Sequence, residues 1–146
     1  MSDLAVFFKQ NKPARKHEFF PACADFKDEK GNTILWELRP LTSLELGRIR
    51  SACMTIQAKG KSFKFDSDLY NRKIAAAAVV FPNLKNAELV DSYMANFAPD
   101  DRTPENLICL MIDRDDEFQA LVKKVNEMNG VKAEGEEEAA VETAKN

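Results

Sequence analysis

The sequence predicts an α+β fold, an N-terminal β-hairpin packed with four to five α-helices and followed by a disordered acidic tail. Three observations carry that prediction. Between Glu18 and Leu41 two stretches alternate apolar and polar residues on either side of the polar run Lys27-Asp28-Glu29-Lys30-Gly31-Asn32, the pattern of a hairpin with a glycine-containing loop. From Thr42 to Gly130 the apolar residues recur at spacings of three and four, the stripe of helices lying on a core. Beyond Gly130 the composition is Ala, Glu and Gly with only two valines, too little apolar surface to offset chain entropy. The expected organisation is one domain over residues 1–130 and a tail over 131–146.

Taken in order, Asp3 to Lys9 places Leu4, Phe7 and Phe8 at helical spacing behind a Ser2 or Asp3 cap, which predicts a short amphipathic helix. In the first strand Phe20, Ala22, Ala24 and Phe26 alternate, with Pro21 placing it at an edge or bulge. Its partner runs from Thr33 to Leu41, with Ile34, Trp36 and Leu38 on one face. Thr42 and Glu45 form a capping box, and Leu41 and Leu46 occupy the staple positions, so a helix follows with the stripe Leu46, Ile49, Cys53 and Ile56. It should end at Lys59-Gly60-Lys61-Ser62. Phe63 and Phe65 alternate with lysines as a short strand or an extended loop.

The next helix starts near Asp66 or Ser67 and runs to about Val80, with Tyr70, Ile74, Ala77 and Phe81 along one face. Its small, apolar end, Ala75 to Ala78, permits close approach of a neighbour, and Pro82 breaks it. Asn86 caps a shorter helix containing Leu89, Val90 and Tyr93. After a loop over Ala98 to Arg102, Thr103-Pro104 is a cap followed by proline at the first helical position, opening a helix with Leu107, Ile108, Met111 and Ile112. The last helix restarts at Asp113 to Asp116, carries Phe118, Leu121, Val122, Val125 and Met128, and closes on Asn129-Gly130.

Composition narrows the function classes. A chain of 146 residues buries roughly two-thirds of the surface its unfolded form exposes, so no disulfide or metal staple is needed. The longest uncharged apolar run, Ile74 to Phe81, is far short of the ~20 residues a bilayer requires. The first ten residues carry an acid where a secretory signal carries positive charge, so a cytoplasmic protein is expected. Of 24 acids and 21 bases, five and two fall from Lys132 onward, leaving a body balanced at 19 and 19. A neutral body with an acidic tail has no electrostatic footprint for a phosphate backbone, which argues against nucleic acid.

A search for chemistry returns few candidates. Cys23, Cys53 and Cys109 are odd in number, widely spaced and set among apolar or small residues, as free thiols are. His17 is the single histidine, so neither a zinc site nor a Ser-His or Cys-His nucleophile is supported. The five glycines make neither a phosphate-cradling loop nor a dinucleotide fingerprint. Asp113, Asp115, Asp116 and Glu117 lack the glycine and terminal glutamate of a calcium loop, and acids at a helix start are favoured by the dipole. No cofactor, metal or catalytic residue is therefore expected. The terminal segment with Leu4, Phe7 and Phe8 differs, because its apolar face must be covered by its own domain or by a partner subunit.

Five stretches in order carry a family resemblance: FFKQNK at 7–12, FKDEKGNTILWELRPLT at 26–42, IRSAC at 49–53, YNRKIAAAAVVFPNLKNAELVDSY at 70–93, and LVKKVNEMNG at 121–130. Together they resemble the XkdN-like tail assembly chaperones of phages and defective prophages with PBSX-type tails. The resemblance implies a non-enzymatic chaperone that binds the tape measure protein and keeps it soluble in the host cytoplasm. Such a chaperone leaves as tail tube subunits polymerise, and so is absent from the mature virion. It also implies a frameshifted longer product that recruits the tube protein, and because an elongated client needs weak contacts from many copies, a homo-oligomer is expected. The alternative is a structural tail protein retained in the virion. Partner-binding candidates are Phe7 and Phe8 in the terminal helix, and Tyr93, Met94 and Phe97 after the Pro82 corner.

Overall fold

The computed structural model describes residues 3–56 and 62–131. The expected disordered tail and the Lys59-Gly60-Lys61 stop lie outside the described residues. Strand β1 (Glu18–Phe20) pairs antiparallel with β2 (Trp36–Leu38) in the register Glu18 with Leu38, Phe19 with Glu37 and Phe20 with Trp36, which is the expected hairpin. Gly31 supplies the positive φ of +86° that its loop requires, and Asp28 Oδ1 accepts from the backbone of Lys30 and Asn32 in the same turn. The strand is shorter than the alternation suggests. Pro21 ends it, after which Ala22 and Cys23 are both buried and Ala24 is exposed.

Helix α1 (Ser43–Ala52) begins on the expected capping box: Thr42 accepts from the Glu45 backbone while Glu45 accepts from that of Thr42. It stops eight residues before Gly60. Met54 to Ile56 forms β3, paired antiparallel with β4 (Phe63–Phe65), so Ile56 belongs to a second hairpin and not to the helix stripe. Thr55 and Ile56 are β-branched and favour the strand once FKF offers a matched partner. Helix α2 (Ser67–Ala78) is capped by Asp66 and buries Ile74, Ala75 and Ala78.

The chain then departs from the expected helix end. Val79 to Phe81 forms β5, which pairs with β2 and makes it the central strand of a three-stranded sheet ordered β1-β2-β5. Two β-branched valines resist the helix, and Phe81 precedes a proline, which excludes it from the helical region. Phe81 consequently points outward, half-exposed, instead of packing with Ile74. After Pro82, Asn83 and Asn86 cap in turn, Asn86 accepting from Leu89 to open α3 (Ala87–Met94). A short 3-10 turn over Pro99–Asp101 occupies the predicted loop, and Thr103-Pro104 opens α4 (Pro104–Met111) as expected. Helix α5 (Asp115–Met128) closes at Gly130, whose φ is +74°.

The core lies between the sheet's inner face and the helices. Trp36 and Leu38 from β2 meet Ile74, Ala75 and Ala78 of α2, Leu107 and Ile108 of α4, and Leu121, Val122 and Val125 of α5. The alanines of α2 do what their size allows, for α2 packs against both α4 and α5. Among the described residues no polar or charged residue is buried as a whole, although Asn126 Oδ1 and Asn129 Nδ2 are buried atoms without a hydrogen-bond partner. The segment leading into β1 is bound to the body by Arg15, which donates to the carbonyls of Leu41 and Met128, and by Glu18 with Lys124 at 2.7 Å.

Candidate protein-binding surfaces

Apolar side chains that the fold leaves in water are the candidate site, because a buried core needs no explanation while clustered exposed hydrophobics do. The N-terminal segment is the first group. It forms two 3-10 turns, Ala5–Phe7 and Lys9–Asn11, where an amphipathic helix was expected, and no side chain caps the first turn. Without a cap, a segment this short cannot meet the cost of helix nucleation. Of its phenylalanines Phe7 stands off the domain at 83% exposed while Phe8, at 45%, is about half covered, beside exposed Leu4 and Val6.

Of the candidates after the corner, Tyr93 and Phe97 are part-exposed, whereas Met94 is wholly enclosed at 0% and belongs to the core. The periodicity explains Met94. It follows Val90 by four residues on the inner face of α3, so its burial is what the helix dictates. Arg102 fixes this corner by donating to the carbonyls of Ala95 and Phe97 and pairing with Asp91 at 3.1 Å. Desolvation raises the pKa of the Tyr93 phenol, with smaller contributions from Cys23, Asp113 and Asp25. The two groups of candidates are not brought together. Arg15, beside the N-terminal turns, reaches the Met128 end of α5, and the Tyr93 corner faces Cys23, which lies against Glu117 at the other end.

Two further surfaces were missed in the sequence. On the outer sheet face Glu37 sits in register between Phe19 and Phe81, both exposed, with exposed Leu35 two residues before Glu37, just ahead of β2. His17 holds Glu37 at 2.6 Å. On the second hairpin Met54 is opposite Phe65 and Ile56 opposite Phe63, and all four are exposed. The alternating triplets MTI and FKF carry the signal, but Ile56 also falls at helical spacing from Cys53, which masks the first.

Ionisable groups serve the scaffold. Glu45 has its pKa lowered to about 2, chiefly by the Arg39 guanidinium, which forks onto its two oxygens at 3.2 and 2.8 Å. In the acidic run, Asp116 takes a similar fork from Arg114 and Glu117 accepts from the Ala24 backbone at 2.8 Å, so both carboxylates are engaged structurally. The three cysteines are free thiols, and burial raises each above its ordinary value. Among the described residues no group of three or more His, Cys, Asp or Glu could hold a metal, and no helix is long and apolar enough to cross a membrane. A shallow groove of about 600 Å³ between α1, α2 and β5 carries the Lys73–Glu105 pair at 3.1 Å.

A small α+β fold with an apolar core and apolar side chains displayed on turns, a hairpin and a sheet face has the features of a protein-interaction module. The comparisons give that class a family. The chain belongs to the phage XkdN-like tail assembly chaperone family, whose sequence model matches residues 4–145. The phage-like element PBSX protein XkdN of Bacillus subtilis (strain 168) is 26% identical over 91 residues, spanning 60% of this chain and 62% of the relative. The crystal structure of the protein yqbn superposes with a TM-score of 0.71 at 19% identity, covering 90% of this chain and 99% of the other, and so shares the fold.

Proposed function

We propose that the chain is a non-enzymatic chaperone that binds the tape measure protein in the host cytoplasm and keeps it soluble until tube subunits polymerise around it. It then leaves, and the finished virion lacks it. The observation that carries the reading is a chain of the tail assembly chaperone family with large apolar residues displayed on several separate surfaces. An elongated client calls for repeated, shallow, mainly apolar contacts from many copies, and avidity then supplies what one small contact lacks.

Within this reading the N-terminal turn with Phe7 and Phe8 joins copies of the chain into a homo-oligomer, while Tyr93 and Phe97 are accessory client contacts braced from beneath by Met94. A frameshifted longer product carries an extension beyond Gly130 that recruits the tube protein. Co-expression with the tape measure protein encoded in the same tail gene cluster tests the proposal. The client should move from the insoluble to the soluble fraction and co-purify with the chain. An insoluble client and no complex would overturn it.

A further inference from the structure

A shallow groove of about 750 Å³ lies between the segment ahead of β1 and the turn that opens α1, lined by Lys9, Lys12 and Arg15 from the first and by Pro40, Leu41 and Thr42 from the second. No acidic residue lines it, and none of the three cations forms an ion pair among the described residues. Arg15 donates to the carbonyls of Leu41 and Met128, which orient the guanidinium without neutralising it. The chain leaves the body beside this groove: Asn129 lines it and accepts from the Leu41 backbone at 2.7 Å, and the described chain continues to Val131, whose N–H donates to the Asn126 carbonyl at 2.8 Å. Soon after comes Glu134-Gly135-Glu136-Glu137-Glu138, with four acids and no base. We infer that this acidic segment of the chain's own tail docks in the groove, its carboxylates against Lys9, Lys12 and Arg15.

Reach permits this contact. Glu136 to Glu138 follow Val131 by five to seven residues, roughly 16–25 Å of extended chain, and the groove begins at Asn129, already behind the point of departure. Charge favours it, since the segment brings four carboxylates to three cations that lack a counter-charge. Attachment then selects the chain's own tail over a separate acidic partner. Exposed pairs of this kind are individually weak, and a tethered segment meets its groove at an effective concentration on the order of millimolar, which a free partner does not reach. An acidic segment of another protein gains the same cations only by displacing the tail, so docking makes the groove a guarded surface. The inference stands apart from the tape measure reading and does not depend on it.

Nuclear magnetic resonance of the full, isotope-labelled chain tests it, with a free peptide of residues 131–146 as the reference. At about 0.01 M salt the amide signals of Glu136, Glu137 and Glu138 should stand away from their positions in the peptide, and at about 1 M, where the screening length falls from roughly 30 Å to roughly 3 Å, they should return to them. Lys9→Gln with Lys12→Gln should cause the same return at low salt while the far-ultraviolet circular dichroism is unchanged, since both lysines are exposed. Should that pair disturb the fold, Glu136→Gln, Glu137→Gln and Glu138→Gln together read the contact from the other side: the amide signals of Lys9, Lys12 and Thr42 should move to the positions that high salt gives. Mixing labelled wild type with a large excess of the unlabelled lysine variant should leave the displacement in place, because each tail keeps its own groove. Its loss in that mixture would assign the groove to the tail of a second copy and overturn the inference. Tail signals that match the free peptide at low salt, a displacement that survives the lysine variant, or groove signals unmoved by the glutamine variant would overturn it too.

Discussion

Replacing Phe7 and Phe8 with serine should dissociate assemblies of the chain while leaving each copy folded. Phe7 is 83% exposed and Phe8 45%, so the folded monomer uses little of the first side chain and about half of the second. The expected stability cost is within about 1 kcal/mol. In an interface the same residues have nearly a whole and about half a side chain still to bury, at ~1.5–3 kcal/mol for a full phenylalanine, so the pair contributes about 2–4 kcal/mol per contact. That corresponds to roughly 30- to 1,000-fold in dissociation constant. Sedimentation velocity over a concentration series reads the shift, and thermal melts read the fold. Met94→Ala is the opposite control, since a fully buried methionine should cost ~2–5 kcal/mol and lower the melting temperature by roughly 10 °C. An unchanged oligomer in the serine variant, or its loss of fold, would refute the reasoning.

Three further outcomes follow from the scaffold. Glu45→Gln should destabilise the chain by about 1 kcal/mol at pH 7, the Arg39 pair being about a third exposed and so discounted from a buried pair. Because the folded carboxyl titrates at about 2 against an ordinary 4.5, that increment is present above pH 4.5 and is lost as pH falls through about 2. Urea melts of wild type and variant should therefore converge at the acid end, and a constant gap would contradict the assignment. Thr42→Ala removes half of the capping box and should cost ~1 kcal/mol in the same melts. Gly130→Ala forces a side chain into φ +74° and should cost about 1 kcal/mol, although its Cβ would meet nothing within 4 Å.

What was legible in the sequence was whatever depends on near neighbours. The capping box at Thr42 and the caps at Asn86 and Thr103 are local contracts between residues three apart, and each is made in the structure. The Gly31 loop and the Gly130 close are of the same kind. What was not legible depended on partners far along the chain. Val79 to Phe81 becomes a strand only because β2 has a free edge some forty residues earlier, and Met54 to Ile56 only because Phe63 to Phe65 returns beside it. The surfaces divide in the same way. Phe7 and Phe8 were singled out because a short apolar terminus stands alone in a sequence, while Phe19, Phe81 and the hairpin face need the sheet register to place them on the outside. Met94 was a reading of proximity to the corner, and helical phase put it inside.

The central claim is that this chain accompanies the tape measure protein during assembly and is not a part of the particle. Quantitative mass spectrometry of cross-linked complexes captured on the chain during tail assembly, set beside purified particles from the same culture, tests it most directly. The account predicts tape measure peptides abundant in the captured complexes and the chain at trace level in the particles. Stoichiometric recovery of the chain from the particles, with no tape measure protein captured, would contradict it.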